Sequence, residues 1–257
     1  MSKHKPHWVF HLPAILSASA EATYSMGLRT LRVNVGSFVS VLRLAHQHQL
    51  RLFIPSTIAV FGSNTPRIAP DTTMMHPSFL YGITKVYNEL LGDYFHQRYG
   101  VDFRCIRLPG VISANASIGG AGTTDYAIHM LQTAILGSHH YNCYLKPNTT
   151  LPMVHIDDCI QGMIQLMGVD RNLLTRSVYN INSVSFDPTT LKAEIERQTG
   201  RPLIMHIKPD HRQAIADSWP DALDDTNARR DWGWSPKHNL SSMVASILTD
   251  LEKQKSK

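Results

Sequence analysis

The sequence predicts an α/β fold in which helices cover both faces of a parallel sheet. Short apolar segments of strand length recur along the chain. Between them lie longer segments whose apolar residues repeat at helical spacing. Because strand and helix alternate along most of the chain, parallel strands joined by helices are the expected arrangement.

The first part of the chain begins with the apolar segment WVFHL (8–12), which predicts a buried strand. Helical spacing follows over residues 31–45. RLFIPS (51–56) predicts a second strand, which we expect to end at Pro55. A loop rich in Pro, Thr and Asn then runs to residue 78 and precedes the next helix.

The second part continues the same alternation. DFRCIRLPG (102–110) predicts a strand that breaks at Pro-Gly. Asp157 and Asp158 are expected to cap the helix that follows the strand PMVHI (152–156). The other predicted elements are a helix at 123–136, a strand at 177–182, a helix at about 187–198 and a strand at 203–207.

The composition indicates a globular protein with a large core. The chain has 257 residues, of which 43% are hydrophobic and 18% are charged, which excludes widespread disorder. A net charge of +5 could indicate a nucleic-acid partner, but the basic residues are scattered. The run at 253–257 is typical of a solvated terminus. No apolar run approaches a membrane span, so we expect neither nucleic acid nor membrane as a partner.

The cysteines and histidines do not predict a metal site. The three cysteines lie far apart without C-x-x-C, so we expect reduced thiols packed in a core. None of the 14 histidines lies in H-E-x-x-H or beside a cysteine at zinc spacing. Surface positions and loop caps are the expected roles of these histidines.

The segment PSFLYGITKVYNELLG (77–92) contains the candidate catalytic pair, Tyr81 and Lys85. Their spacing places them side by side on a helix, although many such pairs arise by chance. Ser56 and Thr57 lie at the end of the preceding strand. Ligands of open α/β sheets bind beyond the carboxyl ends of the strands, so the four side chains should converge there.

The chain resembles the extended short-chain dehydrogenase/reductase family. The motifs that carry this resemblance are, in order, IPSTIAVFG (54–62), YGITK (81–85) and RLPGVIS (107–113). Within the family it resembles most closely the short-chain type of L-threonine 3-dehydrogenase. This narrower resemblance rests on the segments GGAGTTDYA (119–127), LPMVHIDDC (151–159), PDHRQAIADSWP (209–220) and NARRDWGW (227–234).

The resemblance implies one NAD(P)-binding, Rossmann-like domain over residues 1–257. It further implies a small C-terminal α/β substrate lobe, with segments at roughly 114–150 and 183–257. The family's G-x-G-x-x-G cofactor turn does not occur in the sequence. By resemblance, the chain starts at the fourth strand of an N-terminally truncated sheet, and we therefore expect impaired NAD binding. HLPA (11–14) and VNVGS (33–37) also depart from the family pattern.

The resemblance also implies roles for single residues. Tyr81 would be the catalytic base, with a pKa lowered by the Lys85 ammonium and the cationic nicotinamide ring. Thr57, helped by Ser56, would orient the substrate hydroxyl. The implied cofactor contacts are Tyr81, Lys85, Leu12, Pro109 and Val111. The implied substrate contacts are Ser17, Thr57, Tyr81, Thr123 and Trp219. Residue patterns alone leave open that Ser17 is a loop serine, Thr123 a helix N-cap and Trp219 a core residue.

The expected activity is the oxidation of L-threonine to 2-amino-3-oxobutanoate with NAD, as a step of threonine catabolism. Two alternatives stay open: a truncated, catalytically silent relative that cannot hold NAD, and a nucleotide-sugar epimerase or dehydratase. We expect a homodimer if the fold is complete. The expected compartment is the mitochondrial matrix in a eukaryote and the cytoplasm in a bacterium, although the sequence shows no targeting peptide.

Overall fold

The computed structural model describes residues 6–16, 20, 22–116 and 122–256. The main sheet contains four parallel strands in the order β1, β2, β4, β8. These strands are β1 (Trp8–Phe10), β2 (Arg51–Thr57), β4 (Phe103–Leu108) and β8 (Val178–Asn180). The predicted parallel sheet is therefore confirmed, and helices cover both of its faces, as the packing shows.

Alternate residues of β2 enter two different cores. Leu52 and Ile54 pack with residues of α2 (Ser37–His48) and α3 (Leu80–Tyr99). Phe53 packs on the opposite face with residues of α5 (Ile156–Gly168) and α8 (Thr226–Trp232). Both faces of the strand are thus buried, which explains why its sequence is a continuous apolar run.

Pro55 does not end β2, contrary to the sequence prediction. The strand continues to Thr57, and Pro55 lies opposite Ile106 in β4. The pairing of β2 with β1 reaches only Phe53. Because β2 has no β1 partner at Pro55, the missing N–H interrupts no ladder bond on that side.

The described residues also form three smaller sheets. The first joins β5 (Gly110–Ile112), β7 (Leu151–His155) and β9 (Val184–Phe186), and β9 is antiparallel to β7. The other two are parallel pairs: β6 (His140–Cys143) with β10 (Ile204–Ile207), and β3 (Ile68–Ala69) with β11 (Ala222–Leu223). The remaining helices are α1 (Tyr24–Thr30), α4 (Tyr126–Leu136), α6 (Pro188–Thr199), α7 (His211–Asp217) and α9 (Leu240–Lys255).

The helix expected over 31–45 begins with a π-helical turn, Leu31–Gly36, which links α1 to α2. Asn34 in this turn is buried. Its side chain bonds the N–H of Ile15 at 2.8 Å, the carbonyl of Ile15 at 3.0 Å and the hydroxyl of Thr84 at 3.1 Å. The turn therefore ties the segment after β1 to α3, and π-turns often occur near functional sites.

Asp157 and Asp158 are not the caps of α5, contrary to expectation. His155 has the extended backbone of an N-cap residue, and its Nδ1 accepts the N–H of Asp157 at 3.1 Å. Asp158 instead accepts the N–H groups of Lys237 and His238, each at 3.0 Å. A neighbour two residues away thus caps the helix, whereas partners distant in sequence decide the role of Asp158.

The three cysteines are free and buried, as the sequence predicted. Among the described residues, none of the helices is both long and apolar enough to span a bilayer.

Candidate active site

A cavity of about 510 Å³ opens where β2 and β4 end and α3 begins. The predicted catalytic residues Ser56, Thr57, Tyr81 and Lys85 all line it. Its lining also includes the predicted cofactor contacts Leu12, Pro109 and Val111 and the predicted substrate contacts Thr123 and Trp219. Ser17 lies outside the described residues. Residues distant in sequence thus meet at the strand ends, the place where α/β sheets bind ligands.

The first turns of α3 are bonded to the end of β2. The Thr57 hydroxyl lies close enough to the Tyr81 side chain to lower the pKa of the phenol. The Lys85 Nζ donates to the carbonyl of Pro55 at 2.7 Å and lies 5.7 Å from the centre of the Tyr81 ring. The spacing of one helical turn brings both side chains to the same strand end.

Burial raises the pKa of Tyr81 to about 12, while the nearby Thr57 hydroxyl acts in the opposite direction. The sequence predicted that Lys85 and a cationic nicotinamide ring together would lower this pKa. With the ammonium alone, desolvation of the phenolate is the larger effect. The Lys85 ammonium is directed to the Pro55 carbonyl rather than to the phenol oxygen.

Burial also lowers the pKa of Lys85 to about 8, although the nearby Cys105 and Glu89 act to raise it. A buried ammonium loses hydration, so its neutral form gains in relative stability. The amine is therefore charged at neutral pH and loses its proton as the pH rises through about 8.

The hydroxyl of Ser56 has a protein partner in this structure. It is buried and donates to the carboxylate of Glu89 in α3, while the neighbouring Thr57 lies against Tyr81 of the same helix. Both side chains at this strand end thus reach α3. The predicted help of Ser56 in orienting the substrate hydroxyl stays a prediction.

Thr123 and Trp219 bring the C-terminal half of the chain to the cavity. Thr123 opens the short 3₁₀ turn Thr123–Asp125, whose N-cap is Gly122, so it is not itself the cap. It is 2% exposed, and its hydroxyl has no hydrogen-bond partner in the described part of the chain. A buried hydroxyl is seldom left unpaired, so Thr123 is a candidate for a hydrogen bond to a molecule bound in the cavity. Trp219 both lines the cavity and packs against two cores.

Sequence reasoning gave no role to Gly110 and Asp125 of this wall. Gly110 has no room for a side chain, because a Cβ there would lie 2.7 Å from the Cβ of Thr124. Asp125 is the one carboxylate among the described lining residues, and it accepts the N–H of Gly122 at 2.8 Å. The Pro-Gly pair after β4 was the available signal, but it was interpreted only as a strand break.

His155, Asp157 and His238 form a group with metal-ligand spacing, since their ligand atoms lie within 4.8 Å of one another. The Nδ1 of His155 already accepts the N–H of Asp157, and the Nδ1 of His238 bonds Asp158 at 3.0 Å. The two imidazoles stack with their centres 3.9 Å apart. Stacked rings direct their lone pairs side by side rather than to one point, so the group is better explained as structural.

Comparisons with known proteins agree with this geometry. L-threonine 3-dehydrogenase, mitochondrial, of Sus scrofa is 43% identical over 242 residues, which are 94% of this chain and 64% of the relative. The chain thus spans just under two thirds of that relative's length.

Solved structures give the same result. L-threonine 3-dehydrogenase from Trypanosoma brucei matches with a TM-score of 0.94 and 43% identity, over 98% of this chain and 77% of that chain. A monomeric L-threonine 3-dehydrogenase from a metagenome database, in its apo form, matches with a TM-score of 0.91 and 39% identity, over 98% of this chain and 80% of that chain.

The model of the NAD dependent epimerase/dehydratase family matches residues 1–182, which is more than half of the sequence. The resemblance inferred from the sequence motifs is therefore confirmed, and the chain belongs to the NAD dependent epimerase/dehydratase family.

Proposed function

We propose that this protein oxidises the β-hydroxyl of L-threonine to 2-amino-3-oxobutanoate, with NAD as the hydride acceptor. One observation carries the proposal: Thr57, Tyr81 and Lys85 meet in a cavity that the unpaired hydroxyl of Thr123 also lines. A relative with 43% identity is named as an L-threonine 3-dehydrogenase, which supports this choice of substrate.

The cavity fits the nicotinamide half of NAD. Lys85 uses one of its three N–H donors on Pro55, so donors remain for ribose hydroxyls. Leu12, Pro109 and Val111 offer an apolar wall for the ring. The pyrophosphate half is usually held by a G-x-G-x-x-G turn, and that motif does not occur in the 257 residues. When bound, NAD would supply the hydride acceptor.

The chain's own residues would move the proton. Thr57 would hydrogen-bond the substrate hydroxyl and hold it beside the Tyr81 oxygen. This contact would orient the hydroxyl for proton transfer. Tyr81, as phenolate, would accept the hydroxyl proton. Its pKa of about 12 would have to fall for this step. The ammonium of Lys85 together with a second positive charge in the cavity would have that effect.

The first test removes the proton acceptor. It uses a chimaera in which a relative's segment with a G-x-G-x-x-G turn precedes this chain, which we call the chimaeric enzyme. Tyr81→Phe should lower the rate of NADH formation by roughly 10²–10⁴-fold, the usual contribution of general base catalysis. Tyr87→Phe, on the exposed side of the same helix, is the matched control and should keep the parent rate. Near-normal turnover by Tyr81→Phe would refute the assigned role.

The second test concerns the substrate. The chimaeric enzyme should oxidise L-threonine much faster than L-serine or L-allo-threonine. Serine lacks the methyl group that fills the pocket, and in the allo isomer the Cβ hydrogen points away from the nicotinamide. Equal rates for the three amino acids, or oxidation of a nucleotide sugar only, would instead support an epimerase or dehydratase.

We also propose a single Rossmann-like domain with a substrate lobe at roughly 114–150 and 183–257. In support, one apolar core is built mainly from residues of these two segments, among them Leu131, Ile195 and Ile247. Trp232 and Trp234 are exceptions, since they pack in the core that contains Phe53 of the main sheet. For the compartment, the name of the porcine relative favours the mitochondrial matrix in a eukaryotic source, and we propose the cytoplasm in a bacterial one.

A homodimer is the assembly we propose, through an exposed apolar stripe on α3 and the neighbouring helices. The stripe consists of Ile83, Tyr87, Leu90 and Tyr94 on α3 and of Phe79, the residue that precedes this helix. Leu28, Leu31 and Val39 of the preceding helical segment are exposed as well. A spacing of three or four residues places the α3 members on one face. A face of this kind can pair with its own copy about a two-fold axis.

Light scattering of the chain and of Leu90→Glu would test this assembly. The parent should have the mass of a dimer and the variant that of a monomer, because the substitution places a charge in an apolar contact. Asp93→Glu, a charge-conserving change on the same helix, is the control. A monomeric parent would contradict the proposal, and one relative is indeed named as monomeric.

A further inference from the structure

Three successive residues at the end of β2 contact three successive turns of α3. Lys85 donates to the Pro55 carbonyl, Ser56 donates to Glu89, and Thr57 lies against Tyr81. Tyr81, Lys85 and Glu89 are four residues apart, so they lie on one face of the helix. Tyr81 and Lys85 line the cavity, and Glu89 lies behind it.

Glu89 is anchored to the next strand of the sheet. The Nη2 of Arg107 in β4 lies 2.8 Å from one carboxylate oxygen, and its Nε lies 3.1 Å from both. Glu89 is 2% exposed and Arg107 4%. A bidentate pair of this kind is strongly directional, and removing one partner leaves a buried charge unpaired.

Arg107 extends the contact across the sheet. Its Nη1 donates to the carbonyl of Asp71 at 2.8 Å and reaches the side chain of Asn180 in β8 at 3.4 Å. Asp71 in turn accepts the N–H of Asn180 at 2.6 Å. Two strands, β2 and β4, thus bond the Glu89 carboxylate directly, and Arg107 connects it further to Asp71 and β8. Glu89 lies one helical turn beyond Lys85.

We propose that Glu89 is a positioning residue for the threonine oxidation proposed above. Through Ser56 and Arg107 it holds α3 in register with the end of β2, so that Tyr81 faces Thr57 across the substrate hydroxyl. The inference rests on that proposed function. Ser56 is the link in this contact.

Variants of Ser56 separate positioning from general stability. Ser56→Ala removes the link but leaves the ion pair of Glu89 and Arg107 in place, and Ser56→Thr retains a hydroxyl. Ser183→Ala is the matched control, because the Ser183 hydroxyl also donates to a protein oxygen, the carbonyl of His238, in another part of the fold. Glu89→Gln removes the carboxylate charge directly.

The first measurement needs no activity. In the chain labelled with ¹³C at tyrosine Cζ, the Tyr81 resonance is identified by its loss in Tyr81→Phe. Ser56→Ala and Glu89→Gln should shift this resonance, because the contact between Tyr81 and Thr57 is weakened. Ser56→Thr and Ser183→Ala should leave it unchanged. An unshifted Tyr81 resonance in folded Ser56→Ala would overturn the proposal. This result decides the question even when the Glu89→Gln variant does not fold.

The second measurement uses the chimaeric enzyme. Ser56→Ala should lower kcat roughly tenfold, since small misplacements of reacting groups are costly. KM for L-threonine should stay within about twofold, and Ser56→Thr should restore kcat. An unchanged kcat in Ser56→Ala would overturn the role of Glu89. If the parent chimaera does not oxidise L-threonine, the proposed function is wrong. The Tyr81 resonance still tests whether Glu89 positions Tyr81, because that measurement needs no activity.

Discussion

At the scale of single residues, burial competes with charge at the candidate site. Tyr81 and Lys85 both lie in the cavity wall, and burial favours the neutral form of each. The neutral form of tyrosine is the acid, so its pKa rises, and the neutral form of lysine is the base, so its pKa falls. The two shifts have one physical cause, although their signs are opposite.

Lys85 should therefore titrate far below an ordinary lysine. The Cε resonance of Lys85, assigned by its loss in Lys85→Arg, is expected to show a midpoint near its pKa of about 8. A midpoint above about 10, the value of a solvated lysine, would contradict the burial that the structure describes.

His155 should make the protein less stable in acid. Burial and the stacked His238 lower the pKa of His155 from its usual 6.5. As the pH falls below 6.5, the unfolded chain takes up a proton that the folded chain refuses. The free energy of unfolding should therefore decrease with falling pH, until the pH reaches the lower pKa of the folded state.

His155→Asn tests this expectation, because asparagine can still cap α5 but does not titrate. Urea unfolding at several pH values should show a weaker acid dependence in the variant. Some dependence should remain, since burial lowers the pKa of His11 and His129 as well. An identical pH dependence in parent and variant would exclude His155 as a cause.

At the scale of secondary-structure elements, close contact between α3 and the turn after β2 sets the geometry of the site. A Cβ on Gly82 would lie 2.1 Å from the carbonyl oxygen of Ala59. Ala59 belongs to the 3₁₀ turn Ile58–Val60, which follows Thr57 directly. Only a glycine beside Tyr81 allows the helix to approach the strand end so closely.

Gly82→Ala should therefore lower the free energy of unfolding by about 1–3 kcal/mol, the usual cost of overpacking. Gly36→Ala is the matched control, since no atom lies within 4 Å of its added Cβ. That helical substitution should raise stability by about 0.5–1 kcal/mol. Denaturant unfolding measures whether the free energy of unfolding falls in Gly82→Ala and rises in Gly36→Ala. A Gly82→Ala variant as stable as the parent would show that α3 can shift without cost.

At the scale of the whole molecule, the cavity combines two parts of the fold. The main sheet supplies Thr57 and the helix packed on it supplies Tyr81, whereas Thr123 precedes α4, which packs in a different core. In the proposed reaction, proton transfer and substrate recognition would thus be carried by different parts of the chain.

Thr123→Val should accordingly lower kcat/KM for L-threonine in the chimaeric enzyme by about tenfold, equivalent to about one hydrogen bond. Thr133→Val is the control, because the Thr133 hydroxyl bonds the carbonyl of His129 within α4 at 2.8 Å. Initial rates over a range of L-threonine concentrations give the comparison. Equal kcat/KM values for the two variants would show that Thr123 does not contact the substrate.

The sequence by itself predicted the strands of the main sheet and their parallel arrangement. Apolar periodicity is a local property, so WVFHL, RLFIPS and DFRCIRLPG predicted β1, β2 and β4 within a few residues of their observed ends. It also brought Thr57, Tyr81 and Lys85 to one place, because the strand ends of a parallel sheet share one edge.

Only the tertiary structure decided which partner each polar side chain has. Ser56 bonds Glu89 of a distant helix, and Asp158 bonds the segment before α9 rather than capping α5. The direction of the Tyr81 pKa likewise depends on how deeply the cavity wall is buried. Partners and burial come from segments far apart in the chain, and local periodicity contains no information about them, so these properties appear only when the chain is folded.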